Sequence, residues 1–193
     1  MTDYFALLEQ PRRPWLDPEK LKQAFHEKAR SAHPDAQQPE AGIGRADESG
    51  FAEINEAYQV LLSPKRRLHH LLSLCGDPPV AGATVPREIE ERFLAVATLS
   101  QETEAVVRKL SAATTPLSRS LVQPEMLDAQ NRIGAVLEDL RRLEHQAVAE
   151  LQRVSESWNG AETNSSLQYL YLRFAYLDRW TAELQEKRTQ LTL

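Results

Sequence analysis

This chain has little cysteine, little glycine and no long apolar run, and each shortage closes off a class of protein. Its single cysteine, Cys75, excludes an intrachain disulfide framework and any cysteine-rich zinc repeat, and fits a reducing compartment. Seven glycines in 193 residues leave long stretches without turn formers, which favours helix over sheet. Gly42-Ile43-Gly44 has no strand before it and no Gly-Lys-Ser/Thr after it, so it reads as a loop and not a phosphate cradle. No apolar run reaches the roughly 20 residues that span a bilayer, and no basic segment leads into an apolar one at the start. Neither a membrane span nor a secretory signal is therefore expected. Positive charge is short as well. With 23 Lys and Arg against 28 Asp and Glu the net charge is −5, which argues against nucleic acid as the main partner. These limits lead to the expectation of a cytoplasmic, all-α protein.

Catalytic and metal-binding constellations are missing too. His69 and His70 are adjacent, but neighbours on a helix point about 100° apart, and no second ligand pair accompanies them. His26-Glu27 fails as a zinc-protease motif because Arg30 stands where the second histidine would be. No paired carboxylates or activated nucleophile emerge, so no enzyme, metal or cofactor is expected.

What is present is helical periodicity, and the stretch from Leu21 to Asp35 organises it. Leu21, Ala24, Phe25, Ala29 and Ala32 fall three to four apart on one face, while Lys22, His26 and Arg30 form a basic row on another. Asp17-Pro18-Glu19 supplies an N-cap, a proline at the first helical position and a first-turn acid. Pro34 stops the helix, so His33-Pro34-Asp35 displays an imidazole and a carboxylate at its end. Before it, residues 3–8 form a short apolar segment capped by Asp3, broken by Gln10-Pro11-Arg12-Arg13-Pro14. After it, residues 36–49 read as a loop, and Phe51, Ile54, Ala57, Tyr58 and Leu61 mark a helix over about 48–62 that Ser63-Pro64 ends or bends. A Pro- and Gly-containing link at 77–86 divides residues 1–76 from 87–193. Beyond the link, apolar stripes predict helices over about 87–112, 124–157 and 162–192. The last runs through Leu167, Leu170, Phe174, Leu177, Thr181, Leu184 and Leu191, the seam of a three-helix bundle. It also carries a second apolar ridge, Tyr169, Leu172, Tyr176 and Trp180, which is either further core or a surface for a partner.

The tripeptide His33-Pro34-Asp35, with Asp3-Tyr4-Phe5-Ala6-Leu7-Leu8 before it and Ile54 to Pro64 after it, resembles a J-domain. The order of J-domain and helical bundle, without a Gly/Phe-rich segment or zinc repeats, resembles the HscB family of iron–sulfur co-chaperones over nearly the whole chain. Ile54 to Tyr58, Leu71-Leu72-Ser73-Leu74-Cys75-Gly76, Trp158, Leu172 to Arg179 and Glu186-Lys187 carry that likeness. The resemblance implies that His33, Pro34 and Asp35, with Lys22, His26, Lys28 and Arg30, contact the ATPase domain of a DnaK/HscA-type chaperone. It also implies that an apolar patch including Phe93, Leu94 and Tyr176 receives an IscU-like scaffold protein; the ridge adds Leu172 and Trp180 to that candidate surface. Departures are Lys28 at a position where the family keeps a large apolar residue, Ala36 for the usual Lys, and Ala95 and Thr98 where larger apolar residues stand. The expected function is a co-chaperone that stimulates a DnaK-type ATPase and delivers an iron–sulfur scaffold. The alternatives are a J-domain protein with an unrelated client and a structural interaction protein whose J-domain is inactive.

Overall fold

The computed structural model describes residues 2–32, 48–79, 84–159 and 164–192. Among the described residues seven helices follow in order: α1 Tyr4–Leu7, α2 Pro18–Ala32, α3 Glu48–Leu62, α4 Pro64–Leu74, α5 Arg87–Ala112, α6 Pro116–Ser157 and α7 Asn164–Gln190. Among the described residues there is no strand, and the fold is all-α, four shorter helices followed by three long ones.

Local chemistry sets the helix ends. Asp3 caps α1, its Oδ1 accepting from the amides of Phe5 (3.0 Å) and Ala6 (3.3 Å). Asp17 does the same for α2, accepting from Glu19 (2.9 Å) and Lys20 (3.4 Å). Ser63 does not simply end α3. It caps α4, with Pro64 at the first helical position and its hydroxyl accepting from the Arg66 amide. At the other end Gly76 adopts φ +77°, and the bonds Asp77 N to Leu72 O (3.0 Å) and Gly76 N to Ser73 O (3.1 Å) complete a Schellman motif.

The start of α6 departs from expectation. Thr115 and Ser118 exchange backbone-to-hydroxyl bonds, Thr115 N to Ser118 Oγ at 3.0 Å and Ser118 N to Thr115 Oγ1 at 3.1 Å. With Pro116 at the first helical position this reciprocal cap starts the helix eight residues before Pro124, which lies inside it. Pro124 has no amide proton to donate to the Ser120 carbonyl, and both residues are exposed to solvent.

The described residues divide into two units. The first comprises Met1–Ala81 and Glu150–Tyr171, the second Gly82–Ala149 and Leu172–Leu193. The division therefore differs from a bundle domain running from 87 to 193, because α6 and α7 each contribute to both units. At 1.5 Å per residue the 42-residue α6 has a contour of about 63 Å, long enough to serve both.

In the first unit α2 packs on α3, and α3 on α1 and α4. Phe5, Leu8, Leu21, Ala57, Leu61, Leu68, Leu71 and Leu72 are almost fully buried, and Phe25 stacks on Tyr58 with centroids 4.4 Å apart. Residues 150–171 join through the Trp15 amide donating to Ser155 Oγ (3.3 Å) and Gln168 Nε2 donating to Asp77 Oδ1 (2.9 Å). Two polar groups are buried here. Arg67 donates to the carbonyls of Pro14 (2.7 Å) and Leu61 (2.5 Å), tying the loop before α2 to the end of α3. Burial lowers its pKa to about 10, so the guanidinium stays charged at neutral pH, facing the carbonyl end of the α3 dipole. His70 accepts the Tyr4 amide at Nε2 (3.1 Å) and stacks against Tyr4 and Phe5.

The second unit has an apolar core drawn from all three long helices, including Ile89, Val96, Leu99, Ile133, Leu137, Leu140, Leu177 and Leu184. Its polar contacts lie around that core: Arg92 with Asp139 (2.7 Å), Arg173 with Glu88 (2.9 Å), and Ser100 donating to Glu183.

Candidate functional site

The exposed face of α2 presents Lys22, His26 and Arg30 at steps of four, one above another along the helix. None has an ion-pair or hydrogen-bond partner among the described residues, while the opposite face is held by Leu21 in the core and Phe25 on Tyr58. The result is a positive row without counterions of its own, suited to an acidic surface on a partner. The row runs toward His33-Pro34-Asp35, which lie outside the described residues.

Lys28 is not part of that row. It is half-buried, and its ammonium forms an ion pair with Glu9. Glu9 reaches it from the left-handed backbone at the end of α1, with φ +51°. This explains how a lysine is accommodated at this half-buried position: a carboxylate just beyond the end of α1 meets its charge. A partner 19 residues away cannot be seen in the local pattern.

In the second unit the candidate client surface separates into two kinds of residue. Phe93 and Leu94 are 55% and 76% exposed. Leu172 and Tyr176 are half-buried, and Tyr176 packs against the core. Trp180 corrects the expectation that the second ridge of α7 is surface, since it is 4% exposed and belongs to the core cluster. The Phe93 ring meets it edge-on with ring centroids 6.2 Å apart, and the Tyr176 ring lies with its centroid 5.6 Å away, so these two rings cover the indole. The physical reason is that α7 packs among α5 and α6 residues, and one apolar stripe is too narrow for that environment. What stays exposed is the pair Phe93-Leu94, with the small side chains of Ala95 and Thr98 beside it.

The adjacent histidines go separate ways. His70 is buried, whereas His69 is exposed beside the Tyr171 ring at 5.9 Å. Burial pushes the His70 imidazole below its ordinary pKa; Asp3 pulls it up, and His69 and Arg12 push it down. No cluster of three or more potential metal ligands occurs among the described residues.

Comparison with known proteins places these features. Residues 3–70 match the family model described as DnaJ domain. Over 75 residues the chain is 37% identical to the co-chaperone protein HscB of Proteus mirabilis, covering 38% of this chain and 43% of that protein. It is 44% identical over 66 residues to chaperone protein DnaJ 2 of Thermus thermophilus, covering 34% of this chain and 21% of that one. These matches thus span less than half the length of the curated relatives. Among solved structures, chaperone HscB from Vibrio cholerae superposes with a TM-score of 0.54 at 21% identity, covering 98% of this chain and 99% of that one. At that identity the likeness concerns the fold. No helix among the described residues is long and apolar enough to cross a membrane.

Proposed function

We propose that this chain is an HscB-like J-domain co-chaperone. It stimulates the ATPase of a DnaK/HscA-type chaperone through its J-domain and delivers a client, an IscU-like iron–sulfur scaffold protein, through the helical bundle. The observation that carries the reading is the uncompensated row Lys22, His26 and Arg30 on the exposed face of α2, inside the segment matched as a DnaJ domain. The row attracts and orients an acidic face of the ATPase domain, and His33-Pro34-Asp35, next in the chain, acts on the partner's site. Long-range attraction of this sort speeds encounter and fixes register more than it deepens affinity. The chain itself catalyses nothing; it acts in the cytoplasm on another protein's active site.

Client delivery draws its support from Phe93 and Leu94, large apolar side chains that the bundle leaves in water. Ala95 and Thr98 beside them give a smaller apolar patch than the HscB resemblance implies. That favours, as a second reading, a client unrelated to iron–sulfur assembly.

Single-turnover and steady-state ATPase assays with the DnaK-type chaperones of the source cell test the first half. Wild-type protein raises turnover, and His33→Gln abolishes the rise while leaving helix content unchanged. Failure of the wild-type protein to stimulate any of those chaperones rejects the co-chaperone reading. Client choice is read by binding of the purified scaffold protein to wild type and to Leu94→Ser, which is expected to lose that affinity and keep the stimulation.

A further inference from the structure

Between α5 and α6 the second unit holds a cleft that the proposed function does not use. Its volume is about 510 Å3, and its apolar lining includes Leu99, Ala105 and Val106 of α5 with Pro124 and Ala129 of α6. The sequence explains the opening: an alanine stands on each wall where a larger apolar residue would close it, and Pro124 brings a ring but no amide donor. The charged residues of the lining answer one another. Lys109 pairs with Glu125 at 2.6 Å, and Arg132 with Glu102 at 2.5 Å and with Asp128 at 3.7 Å. Neither an anion nor a cation therefore finds an unmatched partner here. Thr103 differs. It also lines the cleft and is completely buried, yet its Oγ1 has no hydrogen-bond partner among the described residues. Ser111 of the same helix donates back to the Val107 carbonyl at 2.9 Å, the usual outlet for a helical hydroxyl, and Thr103 makes no such bond. A buried hydroxyl without a partner has lost its bonds to water and gained none in return.

Apolar walls, paired charges and one unanswered hydroxyl together define a complementary ligand. We propose that this cleft binds a small uncharged molecule with an apolar body and a single hydroxyl or carbonyl, the body against Leu99, Val106 and Ala129 and the polar atom bonded to Thr103 Oγ1. The volume falls within the range of about 300–1,000 Å3 usual for small-molecule sites. A charged ligand would bring a charge that the lining does not answer, and a pure hydrocarbon would leave the hydroxyl alone. Water is a poor occupant of the apolar floor, since it needs about two to four polar partners. Oγ1 lies below the accessible surface, so entry swings side chains of the rim aside. The Lys109–Glu125 and Arg132–Glu102 pairs are about half exposed and yield at little cost.

The test uses the full chain and four ligands of similar shape: benzyl alcohol, toluene, benzoate and benzylammonium. Titrations are followed by the methyl resonances of Leu99, Thr103 and Val106. Benzyl alcohol is expected to saturate these shifts with a Kd below about 10 mM, a modest affinity for so small a ligand. Either ion should bind roughly tenfold more weakly or worse, because its charge is desolvated without a partner. Thr103→Val keeps the shape and removes the hydroxyl. It should melt no lower than wild type and reduce the affinity ratio of benzyl alcohol to toluene about fivefold, the worth of one neutral hydrogen bond. Ala105→Phe, at a half-buried position on the wall, should keep the helix content and weaken both neutral ligands about tenfold by filling the cleft. No saturation, an ion bound as tightly as benzyl alcohol, or an unchanged ratio in Thr103→Val overturns the proposal. So does a lower melting temperature of Thr103→Val, which means that the hydroxyl is already answered in the native protein. Undiminished binding by Ala105→Phe puts the ligand elsewhere and overturns it too. Tighter binding of N-acetyl-leucine amide than of benzyl alcohol assigns the cleft to a partner's side chain, and methyl shifts that follow protein concentration without ligand assign it to self-association; either result overturns it.

Discussion

The two units solve the same problem, burying apolar surface on short and long helices, with different means. In the second unit the helices are long, and the cluster of Ile89, Leu99, Ile133, Leu137, Leu140, Leu177, Trp180 and Leu184 is apolar, with the buried Arg173 ion-paired to Glu88 and the buried hydroxyls of Ser100 and Thr103 beside it. In the first unit α1 to α4 are shorter, down to the four residues of α1, and their apolar packing is joined by side-chain bonds to the backbone. Buried polar clasps make up the difference: Arg67 joins a loop to the end of α3, and His70 holds the first amide of α1. Such clasps are costly to break, because each removed partner leaves a buried group unpaired. The second unit should therefore respond chiefly to lost volume, and the first also to lost side-chain-to-backbone hydrogen bonds and to pH.

The largest expected effect breaks the apolar unit. Trp180→Ala should destabilise it by about 3–5 kcal/mol, as truncation of a buried aromatic does. Native-state hydrogen exchange resolves the units: protection should fall in α5 and the adjoining part of α6 and remain in α3 and α4. A loss below about 1 kcal/mol would return Trp180 to the surface.

Next comes the clasp. Arg67→Met fills much the same space but leaves the Pro14 and Leu61 carbonyls without their donor, at a cost of about 2–4 kcal/mol for two buried acceptors. The loss should appear in α3 and α4 exchange and spare α5. If Arg67→Met is neutral, the first unit rests on apolar packing like the second.

The contrast also governs what could be read from the residues alone. α5 spans Arg87–Ala112 where its stripe places it, and α2 spans Pro18–Ala32, because strong periodicity and caps report on the local chain. The charged row of α2 was readable as surface since burying Lys or Arg without a partner is prohibitive, whereas an apolar ridge carries no such information. Trp180 fits a wet or a dry face equally well in the sequence, and only the three-dimensional setting of α7 decides. The second helix beyond the link is expected from about 124, yet Thr115 and Ser118 start it at Pro116, because proline can mark a break or a first helical position. Lys28 with Glu9, and residues 150–171 with the J-domain residues, depend on contacts far apart in sequence and leave no local trace.

A pH titration sharpens the comparison further. His70 has a folded pKa below its unfolded value near 6.5, chiefly through burial. Above about pH 6.5 both states are neutral and stability does not change with this group. As pH falls below that value the unfolded chain takes up the proton first, so stability drops until the folded pKa is reached and then levels. Protonation also turns Nε2 into a donor facing the Tyr4 amide, so α1 should lose exchange protection first. His70→Gln should remove this slope. Asp3, held below its usual range because Arg12 and the capping amides outweigh its burial, acts only in a lower window near pH 4 and below, and does not mimic it. The second unit, with no buried histidine among its described residues, should stay flat from pH 7 to 5.5.

The smallest effect separates clasp from docking surface within α2 itself. Lys28 and Arg30 are two residues apart, yet one is paired with Glu9 and the other has no partner among the described residues. The Lys28–Glu9 pair is partly open to water, with side chains 35% and 74% exposed, so its worth is at most about 1 kcal/mol. Lys28→Met keeps an unbranched side chain and removes the charge, and its effect on stability should stay within about 1 kcal/mol in either direction. Because the Lys28 charge is already answered, the variant should also associate with the chaperone at nearly the wild-type rate. Arg30→Ala removes an unanswered charge and should slow association several-fold at low salt, the gap closing as ionic strength passes about 0.1 M and the screening length falls to about 10 Å. Stopped-flow association at 20 mM and 300 mM salt measures both. Equal slowing by the two variants would mean that Glu9 releases Lys28 on binding and that the docking row has four members, with the clasp serving as its resting state.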